Sequence, residues 1–186
     1  MPTIVDTLKA DPLKFLKVFP IKISTSGASR IFDSISYGQK TMSKMAGGET
    51  VLMFNNTQGT QFDDSSKVET CKAHVVQALH GAPQFYTLSA DSDFMITTEL
   101  SGCCMVLDRS TNPPRIAHCW PDRAANEDGN RVQTGLEGNP NYKLYGKKNY
   151  VEDYSYVVGV RAGAWRFFAQ ERPRGGKISR ALEIFL

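Results

Sequence analysis

The groups that could do chemistry in this chain are few. It contains three histidines and four cysteines, and one of each stands where a nucleophile and its base could meet. In Leu100-Ser101-Gly102-Cys103 a glycine directly precedes a cysteine, so the backbone can turn there through a conformation that a Cβ would forbid. Cys103 to Leu107 is apolar and β-compatible, and Asp108 to Pro114 is dense in turn formers. Arg115-Ile116-Ala117-His118-Cys119-Trp120 then offers a returning strand. A hairpin symmetric about Ser110 and Thr111 sets Leu107 against Pro114, Met105 against Ile116 and Cys103 against His118. Directly opposed residues hold their Cβ atoms roughly 4.5–5.5 Å apart. An imidazole there can take the thiol proton and leave a thiolate, the nucleophilic form. A slip of one residue would put the two groups on opposite faces.

The competing account of the pair is a buried cysteine acting as a small hydrophobe beside a core histidine. A nucleophile at this turn is expected to be partly exposed. Adjacent strand residues point to opposite faces, which makes Cys104 and Cys119 core residues. The same parity opposes zinc on Cys103, Cys104, His118 and Cys119, because tetrahedral ligands must converge. Cys71 and His74 could stand one helical turn apart, but Cys71 lies on an apolar stripe with Val68, Val75 and Leu79. His80, next to Gly81, fits a helix C-terminus, where histidine satisfies terminal carbonyls. Arg161, Arg166, Arg172, Arg174 and Arg180 alternate with aromatics and fit the outer faces of strands. Gly175-Gly176-Lys177 lacks the rest of a phosphate-binding loop.

These groups need a scaffold, and composition bounds it. At 186 residues the chain fits a single catalytic domain spanning 1–186, with a hydrophobic share of 41% that opposes disorder. A net charge of +3 is too small to imply nucleic acid as a partner. No apolar run approaches the roughly 20 residues of a membrane span. Met1-Pro2-Thr3-Ile4-Val5-Asp6 lacks the pattern of a cleaved secretory signal, so a cytosolic product, or one that leaves by a route not written in a cleaved peptide, is expected. Four cysteines are too few for a disulfide scaffold.

Residues 3–19 read as two short helices, the second opened by Asp11-Pro12 as cap and first turn. Strands are expected at Ile21 to Ile23, Arg30 to Ile35, Val51 to Phe54, Gln84 to Leu88 and Phe94 to Thr98. Residues 37–48 and 122–149 read as loops, and Ser65 or Ser66 as the cap of a helix ending near Leu79. Tyr154 to Arg161 turns at Ala162-Gly163 into Ala164 to Ala169, and Ile178 to Leu186 supplies a last strand. Many strands with about two helices predict an α+β fold, a β-sandwich or mixed-sheet core with flanking helices.

The Leu100-Ser101-Gly102-Cys103 segment with its downstream histidine resembles the catalytic segment of the cytotoxic necrotizing factor toxins and the related Burkholderia lethal factor. The resemblance spans about Phe94 to Trp120. It implies a necrotizing-factor-like deamidase fold and a bacterial toxin or effector that converts a glutamine of a host protein to glutamate. Cys103 is then the nucleophile and His118 the general base. In the lethal factor and the chemoreceptor deamidases a threonine six positions before the cysteine completes the site, which here is Thr97. It would orient the imidazole through its hydroxyl or its main-chain carbonyl. The N–H of Cys103 or Gly102 would serve the oxyanion, and Ser101 would brace the turn. The resemblance implies no metal or organic cofactor and a monomer delivered to the host cytosol. By analogy its target is a Rho-type GTPase or a translation-initiation helicase. A cysteine peptidase or transglutaminase would use the same pair, and a non-catalytic binding module would bury it.

Overall fold

Capping explains the first two helices. α1 (Ile4–Ala10) begins at Thr3, whose hydroxyl accepts from the Asp6 N–H while the Asp6 carboxylate accepts from the Thr3 N–H, a reciprocal capping box. α2 (Pro12–Val18) is capped by Asp11, which accepts from the Lys14 N–H, with Pro12 in the first turn, as the sequence predicts. The computed structural model describes residues 3–23, 37–44, 52–56, 69–122 and 128–186. The strand expected over Arg30 to Ile35 and the cap expected at Ser65 or Ser66 lie outside these residues.

The strands that follow are β1 (Ile21–Ile23), β2 (Tyr37–Lys44), β3 (Leu52–Asn56), β4 (Glu69–Val76), β5 (Ala78–His80), β6 (Tyr86–Thr87) and β7 (Phe94–Thr97). Next come β8 (Cys104–Asp108), β9 (Arg115–Trp120), α3 (Gly129–Leu136), β10 (Tyr142–Tyr145), β11 (Tyr154–Ala162), β12 (Ala164–Arg172) and β13 (Arg180–Ile184). They form two mixed sheets. The larger runs β1-β3-β2-β4-β7-β11-β12-β13, and the smaller runs β10-β8-β9-β5 with β6 also on β9. The fold is therefore α+β, with two mixed sheets and three short helices among the described residues.

Strand alternation sorts the core into layers. Phe94, Ile96, Val158 and Phe168 of the large sheet pack with Leu8, Phe15 and Leu16 of the first two helices. Met95, Val157 and Ala169 point the other way and meet Met105, Leu107 and Ile116 of the small sheet. The outer face of the small sheet, Cys104, Val106, Ala117 and Cys119, is covered by Val132 and Leu136 of α3.

Three expectations are corrected. The stripe through Cys71, Val75 and Leu79 is not helical; it lies on β4 and β5. Both faces of β4 are buried, Cys71, Ala73 and Val75 on one and His74 and Val76 on the other, so apolar residues on two faces imitated a helical period. Residues 37–44, expected in a loop, form β2, which pairs on both sides with β3 and β4. Residues 122–149 contain α3, capped by Asp128 accepting from the Arg131 N–H at 2.9 Å, and β10, paired with β8. Gly129 and Gly135 dilute the helical signal of α3.

The β11–β12 hairpin turns at Gly163 as expected, with φ +85° and Ala162 paired to Ala164. Arginines of this hairpin and of β13 are tied to partners within the protein. Arg161 meets Asp93 at 2.8 Å, Arg166 meets Glu183 at 2.6 Å, and Arg180 meets the fully buried Glu171 at 2.5 Å. No helix among the described residues is long and apolar enough to cross a membrane.

Candidate active site

The chain crosses from the large sheet to the small one between β7 and β8, and this crossing carries Leu100-Ser101-Gly102-Cys103. Leu100 fixes its start: its N–H donates to the Ser155 carbonyl at 2.7 Å and its carbonyl accepts from the Ser155 N–H at 3.0 Å. Ser101 is exposed at the bend, and Gly102 adopts φ +119°, the region that favours glycine. The turn expected from the sequence is therefore present. Beyond it Cys103 turns inward, among Met105, Leu100 and Tyr150.

Two groups that the sequence did not single out hold this turn. The Tyr150 hydroxyl accepts from the Gly102 N–H at 2.6 Å and donates to the Cys103 carbonyl at 3.4 Å. Gly129, which opens α3, packs so closely that a Cβ there would come within 2.1 Å of the Gly102 carbonyl oxygen. The Gly102 N–H, expected to serve an oxyanion, is thus engaged by Tyr150. No local signal marks Tyr150, which lies between the loop read over 122–149 and the strand expected from Tyr154, and reaches the turn through tertiary folding.

The hairpin itself forms with a register two residues from the one expected. Cys104 pairs with Cys119, Met105 with His118 and Leu107 with Ile116. Cys103 is therefore not directly opposite His118. A shift of two preserves the face, so Cys103, Met105 and His118 share the side between the sheets. On that face Cys103 is a diagonal neighbour of His118, and such positions lie roughly 7–8 Å apart. Cys104 and Cys119 face α3 instead, as parity predicts. The expectation of partial exposure is overturned: Cys103 is 5% exposed and His118 is 2% exposed, the burial that the sequence reading assigned to a non-catalytic binding module.

Thr97 ends β7 on the large sheet and points into the same space. Its Oγ1 lies 2.6 Å from His118 Nδ1 and 2.8 Å from the Val76 carbonyl oxygen. A carbonyl cannot donate, so the single hydroxyl proton goes to Val76 and the Thr97 oxygen accepts from Nδ1–H. That assigns the tautomer. His118 carries its proton on Nδ1 and presents a lone pair on Nε2, which is buried and meets no hydrogen-bond partner among the described residues. The contact uses the threonine hydroxyl, one of the two modes left open by the sequence. Burial pushes the His118 imidazole down from 6.5 to about 3, because an imidazolium there would lose its hydration.

The other candidates are placed elsewhere. His74 points away from Cys71 across β4; its ring nitrogens lie 2.9 Å from the Tyr86 hydroxyl and 3.0 Å from the Ser89 carbonyl oxygen. His80 caps no helix; it ends β5 and stacks on Trp120 with ring centroids 5.2 Å apart. Among the described residues no group of three or more His, Cys, Asp or Glu side chains converges to hold a metal ion. No family model matches the chain, and no curated protein is significantly similar to it.

Proposed function

We propose that this chain is a protein-glutamine deamidase of the cytotoxic necrotizing factor and Burkholderia lethal factor type, with the deamidase fold of that family. The observation that carries this reading is the oriented imidazole. A threonine six residues before Cys103 holds the Nδ1–H of His118, which leaves Nε2 as a base on the face that Cys103 shares. A third group that orients the base in this way is the logic of nucleophile–base–orienter triads.

The chemistry follows from these groups. His118 Nε2 takes the thiol proton as the Cys103 sulfur attacks the carboxamide carbon, and the carbonyl electron pair moves onto oxygen. The imidazolium that forms gives its proton to the departing amine. Ammonia leaves as the oxyanion collapses to a thioester. Water then attacks the thioester carbon while His118 takes its proton, and that proton returns to the sulfur as glutamate is released.

Depth favours a side-chain amide over a peptide bond. With Cys103 5% exposed, a substrate must send a narrow group inward, and a carboxamide on two methylenes is such a group. A main-chain amide is flanked by the rest of its chain. The proposed setting is a bacterial effector acting in a host cytosol on a protein such as a Rho-type GTPase or a translation-initiation helicase.

The test is mass spectrometry of host-cell lysate treated with wild type or with Cys103→Ala. Specific glutamines converted to glutamate by wild type alone, with ammonia released and without chain cleavage or amine incorporation, support the reading. Cleavage indicates a peptidase and amine incorporation a transglutaminase. No covalent change in the lysate would remove the catalytic reading altogether.

Thr97 supplies a second test. Thr97→Val keeps the shape but leaves Nδ1–H and the Val76 carbonyl without their partner. Deamidation is expected to fall by about 10²-fold or more, since a base in the wrong tautomer or orientation fails. Thr97→Ser retains the hydroxyl and should stay within several-fold of wild type. A Thr97→Val enzyme as active as wild type would show that the hydroxyl does not orient the base.

A further inference from the structure

We infer that Tyr150 is a positioning residue for the nucleophile: its hydroxyl clamps the Gly102–Cys103 segment and thereby sets where the Cys103 thiol stands. The clamp is double. One phenol oxygen accepts the Gly102 N–H at 2.6 Å and donates to the Cys103 carbonyl at 3.4 Å, so it holds backbone groups on both sides of the Gly102–Cys103 link. These are the groups whose orientation decides the direction in which the Cys103 side chain leaves the chain.

The segment needs such a clamp. Gly102 has φ +119°, and glycine samples several backbone regions at similar cost. Cys103 precedes the first residue of β8, so the β8–β9 pairing does not include it. Ladder pairing fixes Met105 opposite His118, but the thiol two residues earlier depends on what restrains the turn.

Tyr150 is itself firmly held. It is 2% exposed, its ring lies 5.9 Å from that of Tyr145, and the Lys147 ammonium stands 4.8 Å from its centroid. Burial pushes its hydroxyl well above the ordinary phenol range, so it keeps the proton it donates to Cys103. A rigid aromatic ring with a fixed hydroxyl is suited to locating a flexible turn.

The inference rests on the deamidase reading for what the thiol attacks, but not for where the thiol is held. Its test therefore includes a reaction that needs no amide substrate. Tyr150→Phe keeps the ring, the Tyr145 contact and the Lys147 contact, and loses only the hydroxyl. Tyr145→Phe is the comparison: it removes a buried hydroxyl of the same core that meets Glu171 at 2.8 Å and the Ser155 hydroxyl at 3.0 Å, whereas the Gly102 N–H and Cys103 carbonyl bond Tyr150.

Iodoacetamide alkylation of Cys103 is followed by mass mapping across pH 5 to 9, alongside ammonia release from host-cell lysate. Tyr150→Phe is expected to slow alkylation at neutral pH by about tenfold or more and to change the shape of its pH profile, because the thiol no longer faces its base. Tyr145→Phe should leave the profile as in wild type. Ammonia release should fall in proportion to alkylation for Tyr150→Phe. Equal slowing in both variants would mean a general loss of packing and would overturn the assignment. So would a Tyr150→Phe protein that alkylates like wild type. If Tyr150→Phe alone slows alkylation but even wild type releases no ammonia, the clamp stands and the deamidase reading falls.

Discussion

Cys103→Ala is expected to abolish glutamine deamidation, by about 10⁴-fold or more as for other enzymes stripped of their nucleophile, while its neighbour Cys104→Ala keeps the activity. The two residues differ by one position and by the face they occupy. Cys103 lies between the sheets with Met105 and Tyr150, whereas Cys104 packs against α3 with Val106 and Cys119. Burial raises the Cys104 thiol far above its ordinary value, and it raises that of Cys119 to about 12, so neither is a thiolate near neutral pH. A stoichiometric alkylating agent should therefore mark Cys103 and leave these two unmodified.

Stability should not separate the two variants. Both sulfurs are buried, and a Cβ at Gly146 would already come within 3.0 Å of the Cys104 sulfur, which indicates tight packing. Removing either sulfur is expected to cost about 1–2 kcal/mol, a transfer cost plus a small cavity. For a chain of this length that lowers the thermal midpoint by about 2–8 °C. An adduct mainly on Cys104, or a Cys103→Ala protein that still deamidates, would mean that the assignment of nucleophile is wrong.

Legibility in the sequence followed the range of each interaction. The caps of α1 and α2, the glycine turn before Cys103 and the β11–β12 hairpin depend on neighbours within a few residues, and each was readable. The face of Cys103 against Cys104 was readable too, because strand parity survives an error of two in register. The register itself was not. The hairpin is centred between Thr111 and Asn112, one residue beyond the centre expected at Ser110 and Thr111, so the assumed symmetry gave the wrong partner for His118. The helix expected through Cys71 failed because a strand buried on both faces shows no alternation. The Thr97 contact was reachable only through resemblance, since it joins strands of two different sheets. Tyr150 lies 48 residues from Gly102, and nothing local in the chain marks it.

His118 should make both activity and stability depend on pH, and the sign is fixed by burial. Burial lowers its folded-state value from 6.5 to about 3. Between those values the unfolded chain binds a proton that the folded protein does not, so stability is full above about pH 6.5 and is lost as the pH falls toward 3. Each unit of difference is worth about 1.4 kcal/mol, so lowering the pH from 6.5 to 4.5 should cost roughly 2–3 kcal/mol through His118 alone. His74, also lowered by burial, adds in the same direction. The paired carboxylates of Asp93, held low by the Lys9 hydrogen bond, and Glu183, held low by Arg166, give up their contribution as the pH falls through and below the ordinary carboxylate range. A thermal midpoint measured across pH 8 to 4.5 should be flat above about 6.5 and then decline, and His118→Ala should flatten much of that decline while losing activity nearly as completely as Cys103→Ala. In wild type, activity per folded molecule should show no protonation limb near 6.5, because the base stays neutral well below that value. An activity limb at 6.5 together with a pH-independent midpoint would show that the imidazole titrates as an exposed histidine does, and the buried neutral base would then have to be abandoned.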